Sequence, residues 1–224
     1  MSNNVSKRYL GKEGEEYESL RQSNHADPGY AIDFEYFRPF FKRESIVLDF
    51  GCGNGGILSH VAKVVAGVDG VEVNPKARSI AEKTGMQIYP NIESIPNVTK
   101  YDIVFSNHVF EHVRDVCATL EQIRSHLNPN GLLLLKLPFD DANARYQQNW
   151  KDIDVDHHLF TWSPRLLANL LRETGYSVLD CRLITSAWHP KLFPFSKLGL
   201  DKLAFWTLAV VKRRRQVFAV AVNR

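Results

Sequence analysis

Apolar and polar positions follow two rhythms along this chain. Short apolar runs at Ile46–Phe50, 68–72, 86–89, 101–106 and 132–137 are separated by stretches of helical periodicity at 57–65, 75–84 and 116–127. Such alternation predicts parallel strands joined by crossover helices. The runs are nearly continuous rather than alternately apolar and polar, as expected of strands covered on both faces. Pro75 suits the first turn of its helix, and Asn128-Pro129-Asn130-Gly131 is a strong stop before the next strand. Farther on, Ser163-Pro164 starts a helix whose Leu166, Leu167, Leu170 and Leu171 share one face and which ends at Gly175. Residues 176–188 predict a sixth strand and 216–222 a seventh. Ahead of this, residues 1–45 carry Tyr9, Tyr17, Tyr30 and Tyr36 among mixed charges, and Asp33 can cap a helix through Phe34, Phe37 and Phe41. This segment is expected to be a helical cover on the domain formed by 46–224.

Length and composition narrow the class. At 224 residues the chain suits one α/β domain and is too short for two full domains with linkers. Net charge is +3, so charge alone implies no nucleic acid, and none is expected as a partner. Cys52, Cys117 and Cys181 are odd in number and form no C-x-x-C pair, which fits free thiols in a reducing compartment. Residues 1–14 contain no apolar segment of the kind a secretion signal needs. The longest nearly unbroken apolar run, 204–211, falls far short of the ~20 residues of a spanning helix. A cytoplasmic protein, not integral to a membrane, is the expectation.

The candidate chemistry centres on Val47-Leu48-Asp49-Phe50-Gly51-Cys52-Gly53-Asn54-Gly55-Gly56. Gly51, Gly53 and Gly56 satisfy G-x-G-x-x-G, in which missing side chains let a ligand approach the backbone at a helix N-terminus. Asp49 precedes the first glycine, where a carboxylate would repel a pyrophosphate but attract a positively charged ligand. Glu72, 21 residues past Gly51, has the offset of a ribose-binding acid. This stretch resembles motif I of the class I S-adenosylmethionine-dependent methyltransferases. The resemblance implies a doubly wound, Rossmann-like sheet of seven strands, six parallel and one antiparallel, with helices on both faces. It implies S-adenosylmethionine as cofactor, held by Asp49, Gly51, Cys52, Gly53 and Asn54, and by Glu72 and Val73 after the second strand.

Other segments extend the likeness. Asn91-Ile92-Glu93-Ser94-Ile95-Pro96 is similar to the family segment whose acid accepts a hydrogen bond from the adenine amino group. Asn91 stands where the family usually has Asp, and its amide oxygen can still accept. Residues 101–113 resemble the fourth-strand motif and Leu127-Asn128-Pro129-Asn130-Gly131 the turn before the fifth strand. Many members have an N-terminal segment folded over the cofactor, which would bring Tyr17 and Arg21 to its methionine end. Asn107 and His108 would lie beyond a strand end, where ligands of open α/β sheets bind.

His108-Val109-Phe110-Glu111-His112 also satisfies H-x-x-E-H, a zinc-protease signature. That signature belongs within a helix with a third ligand elsewhere, so no metal is expected here, and His108, His112 and His157 are taken as candidate catalytic groups. Asp154, Asp156, His157 and His158 form a cluster that suits a metal, a general base or a hydrogen-bonded loop anchor. The acceptor is expected to be a small or lipid-linked molecule. A nicotinamide-dependent oxidoreductase and a non-catalytic cofactor-binding module are the alternatives. Residues 188–215, an apolar run closed by Lys212-Arg213-Arg214-Arg215, form a substrate-side insertion. Residues 196–215 could touch a membrane surface, or pack on the sheet or a second subunit.

Overall fold

The computed structural model describes residues 4–21, 27–139, 157–186, 201–211 and 214–224; side chains at 18, 20, 21, 27, 28, 201 and 202 lie outside that description. In chain order the main elements are α1 (Gly11–Arg21), α2 (Asp27–Phe37), β1 (Ile46–Phe50), α3 (Gly56–Val61), β2 (Gly67–Val71), α4 (Pro75–Ala81) and β3 (Ile88–Tyr89). They continue with β4 (Tyr101–Asn107), α5 (Val116–His126), β5 (Leu127–Pro138), α6 (Pro164–Glu173), β6 (Tyr176–Thr185), α7 (Asp201–Val211) and β7 (Arg215–Asn223). Seven strands form one sheet in the order β3-β2-β1-β4-β5-β7-β6. Only β7 runs against its neighbours, antiparallel to both β5 and β6, as expected of the six-plus-one sheet.

The strand period places alternate residues on opposite faces. Leu48, Phe50, Val104, Leu133 and Leu135 meet Leu120 and Ile123 of α5 and Leu167 and Leu171 of α6. Val47, Ile103, Phe105, Leu134 and Phe218 meet Phe34 and Phe37 of α2 and Leu58 and Val61 of α3. Phe37 lies 5.0 Å from Phe105 and 5.9 Å from Phe218, ring centre to ring centre, so α2 belongs to the core. Helix starts follow their chemistry. Asn74 Oδ1 accepts from the amides of Lys76 and Ala77, Asp115 from Ala118, and Ser163 from Leu166, with Pro75 and Pro164 at first helical positions.

Several expectations shift. Asp33 does not cap a helix: α2 starts at Asp27, so Asp33 is internal and its carboxylate turns to Lys136 instead. The helix ends at Phe37, and a 3-10 turn, Arg38–Phe40, carries Pro39. Residues 127–131 are no break, because Leu127 already pairs with Tyr101; the register slips there and Asn130 adopts φ +62°, a conformation Asn tolerates. β6 stops at Thr185, and residues 187–188 lie outside the described residues. Of the 188–215 insertion, α7 is described and residues 188–200, 212 and 213 are not.

Candidate functional site

The glycine turn closes onto β2 through two amides, Gly51 N and Cys52 N, which both donate to Val71 O at 2.9 and 3.0 Å. Gly51 has φ +83°, and a Cβ there would come within 2.2 Å of Val109 Cγ2. The residue must be glycine, and the contact sets the 108–113 loop directly against the turn. Glu72 ties the turn to the next helix: Gly53 N donates to its Oε2 at 2.8 Å and Asn74 N to its Oε1 at 2.7 Å. Asp49 is 2% exposed at the end of β1. Burial, with the charge of Glu72 second, pushes its carboxyl well above the usual range.

The other expected cofactor residues divide between the cleft and its supports. Cys52 turns its side chain into the core, where its sulfur would sit 2.7 Å from a Cβ on Gly70, and burial raises the thiol. Asn54 Oδ1 accepts from Tyr30 Oη at 2.8 Å and from Gly56 N at 3.3 Å, so it clips α2 to the start of α3. Tyr30 itself occupies the space that a Cβ on Gly56 would need. Val73 is half-buried beside Glu72, and Ile92 is buried. Asn91 Oδ1 accepts from the Ser94 hydroxyl at 2.8 Å, leaving it one lone pair. Tyr17 packs edge-on against Tyr9 at 4.7 Å, while Arg21 closes α1 with its side chain outside the described part.

Asn107 belongs to a network that the sequence reading missed. Lys136, fully buried on β5, donates from Nζ to Asp33 Oδ1 at 2.6 Å and to Asn107 Oδ1 at 3.3 Å, and lies over the Tyr36 ring at 5.2 Å. The signal was a lone lysine inside an otherwise apolar strand. Because a buried charge needs a partner, it pointed to an acid on the covering helix.

The histidines sit on a loop, not in a helix: only Phe110–His112 form a 3-10 turn, and His108 holds φ +57°. Glu111, 0% exposed, stands between His108 Nδ1 at 3.5 Å and His112 Nε2 at 3.8 Å. Burial works to raise its carboxyl, but contact with His108 and the charge of both histidines outweigh that, and it titrates below the usual range. Burial chiefly pushes His112 down to about 4, so it is a neutral imidazole at physiological pH. The Tyr9 hydroxyl lies 2.9 Å from His112 Nδ1 and 3.1 Å from Nε2. His157 is exposed with φ +46°, and it is His158 whose ring meets His112, at 5.1 Å. Asp154 and Asp156 lie outside the described residues.

Comparison with known proteins fits this geometry. Residues 24–180 match a family model described as a methyltransferase domain. The chain is 35% identical over 167 residues to a ubiquinone biosynthesis O-methyltransferase of Dinoroseobacter shibae, covering 67% of this chain and 66% of the relative. It is 33% identical over 101 residues to a malonyl-[acyl-carrier protein] O-methyltransferase of Halalkalibacterium halodurans, covering 39% of this chain and 37% of the relative. The chain thus spans less than two thirds of both relatives. Among solved structures, a chain from the complex of the Haloferax volcanii Trm112 methyltransferase activator with a methyltransferase superposes with TM-score 0.72 at 19% identity, covering 96% of this chain and 99% of that one. At that identity the likeness is one of fold.

Proposed function

The chain belongs to the methyltransferase-domain family, and we propose that it moves the methyl group of S-adenosylmethionine to an oxygen of a small-molecule or lipid-linked acceptor. The observation that carries this reading is the pair Asp49 and Glu72 on one glycine turn. Two acids flank the backbone where a dinucleotide would place its pyrophosphate, and they favour a ligand with cationic ammonium and sulfonium groups. Asp49 faces the ammonium end and Glu72 the ribose hydroxyls. The choice of oxygen as acceptor atom is supported by the two relatives named above, both O-methyltransferases.

The reaction asks little of the protein. A sulfonium already carries its leaving group, so alignment supplies most of the acceleration. The acceptor oxygen attacks the methyl carbon, an O–C bond forms as the S–C bond breaks, and S-adenosylhomocysteine leaves. The hydroxyl proton passes to a histidine of the 108–112 loop, which Val109 holds against the turn. His108, the more exposed of the two histidines on that loop, is the group placed to take it.

No described helix is long and apolar enough to cross a membrane. α7 nevertheless buries Phe205 and Ala209 while leaving Leu203 61%, Trp206 60% and Val211 71% exposed, beside the cationic run at 212–215. A peripheral contact with an anionic membrane, where a lipid-linked acceptor would reside, suits that face.

Incubating the protein with methyl-labelled S-adenosylmethionine and pools of phenolic, carboxylic and lipid acceptors should release S-adenosylhomocysteine with at least one pool. Binding of a nicotinamide dinucleotide in place of S-adenosylmethionine would return the oxidoreductase reading. Cofactor binding without product in every pool would leave a non-catalytic module.

A further inference from the structure

Three potential metal donors converge from two separate segments. Glu111 and His112 come from the turn after β4. His158 comes from the segment leading to α6, which is pinned there by Leu159 N donating to Glu111 O at 2.8 Å. One donor atom from each of the three lies within 4.8 Å of the others. We propose that Glu111, His112 and His158 bind one divalent transition-metal cation, with zinc as the test case, beside the cofactor turn.

The strongest argument is Glu111 itself. Its side chain is fully buried, and neither carboxylate oxygen has a hydrogen-bond partner among the described residues. A buried carboxylate is retained when something compensates its charge. His108 Nδ1, 3.5 Å from Oε1, and His112 beyond it compensate that charge from one side only of the carboxylate, through Oε1. Glu111 Oε1 and His112 Nε2 are 3.8 Å apart, too far for a hydrogen bond. Two donors each ~2.0–2.2 Å from a tetrahedral ion stand roughly 3.5 Å apart, so about 1 Å of side-chain movement closes the set. Two imidazoles and a carboxylate make a donor set suited to zinc and its neighbours, and they leave a coordination position open. The Tyr9 hydroxyl at His112 supplies the outer contact that orients a ligating imidazole.

The sequence alone argued against metal because the H-x-x-E-H stretch lacked a third ligand and a helix. Folding provides the ligand from 46 residues downstream of His112. The cation would take an acceptor hydroxyl at its open position and lower that hydroxyl's pKa toward neutrality, so that no strong protein base is needed. This last role rests on the methyl-transfer reading; the binding of the cation does not.

The test titrates chelator-stripped full-length chain with zinc chloride by calorimetry and with cobalt(II) chloride by visible absorption. One ion per chain is expected, with cobalt bands of a site rich in nitrogen ligands. His158→Ala and Glu111→Gln should each weaken zinc binding at least about tenfold, whereas His157→Ala should leave it unchanged. Binding of S-adenosylmethionine by each variant reports that the domain is folded; should Glu111→Gln not fold, His158→Ala carries the test. Absence of saturable zinc uptake, or uptake that folded His158→Ala leaves unchanged, overturns the site. Zinc binding sensitive to His158 in a chain that methylates nothing supports the site and sinks methyl transfer. Methylation by a chain that takes up no zinc does the reverse.

Discussion

Lys136 and Asp33 meet at 2.6 Å, 103 residues apart in the chain, with the lysine side chain wholly removed from solvent. The pair bolts α2 to the sheet at the strand ends that border the site. Lys136→Met alone strands the acid and should destabilise the protein by about 3–5 kcal/mol in urea unfolding. Adding Asp33→Leu should recover much of that loss, because an apolar pair of similar volume replaces the ions. A double variant no more stable than the single one would show that the cost is not that of an abandoned charge.

Asp49→Asn should change two properties in opposite directions. The folded chain holds the Asp49 carboxyl well above its ordinary range, so the ionised form is a burden on the cofactor-free protein. That cost is present at neutral pH and disappears once the pH falls below the unfolded carboxylate value. The variant should therefore melt a few degrees higher than the parent near pH 7, with the gap closing toward about pH 4. Its affinity for S-adenosylmethionine should fall about ten- to a hundredfold by calorimetry. Unchanged affinity would remove Asp49 from the cofactor site.

The glycines at 51 and 53 should respond differently to alanine. Gly51→Ala meets Val109 at 2.2 Å and should cost about 1–3 kcal/mol, part of which Val109→Ala returns. Gly53 has φ +56° but nothing within 4 Å of a new Cβ, so Gly53→Ala should cost only the roughly 1–2 kcal/mol of the left-handed backbone. If the cofactor approaches through that open space, as proposed, Gly53→Ala should still weaken its binding. Thermal melts with and without cofactor separate the two effects.

The α7 face makes its own prediction. At low salt the protein should sediment with vesicles containing anionic lipid, and added salt should release it within the ordinary screening range. Trp206→Ser, or Arg214→Glu with Arg215→Glu, should release it too, while the melting temperature stays close to the parent's. Protein that remains in the supernatant at low salt would leave Leu203, Trp206 and Val211 as a packing face for protein.

What could be read from the residues was whatever a short window contains. Asp49, the glycines and Glu72 share one strand-helix-strand unit, so spacing sufficed to group them, and the strands followed from uninterrupted apolar runs. Contacts across the fold had no such signature. Asp33 looked like a helix cap because its partner, Lys136, lies on a distant strand. His158 was grouped with its chain neighbours Asp154, Asp156 and His157, although its ring faces His112. Tyr30 and Asn54, 24 residues apart, gave no local hint that one would hold the other. Periodicity reports which face is buried; it is silent on which side chain arrives from elsewhere to meet it.

The place of β7 has a consequence for how the chain is made. Among the described residues β6 pairs in the sheet with β7 alone, and β7 follows β6 in sequence yet lies between it and β5. As the polypeptide emerges from a ribosome, β1 to β5 can assemble in order of synthesis, but β6 must wait without a partner. Its exposed edge persists until residues 215–223 arrive and slot into the gap. Translation that pauses between residues 186 and 214 would prolong that interval, the one in which a nascent chain is most open to a chaperone or to a neighbouring copy of itself.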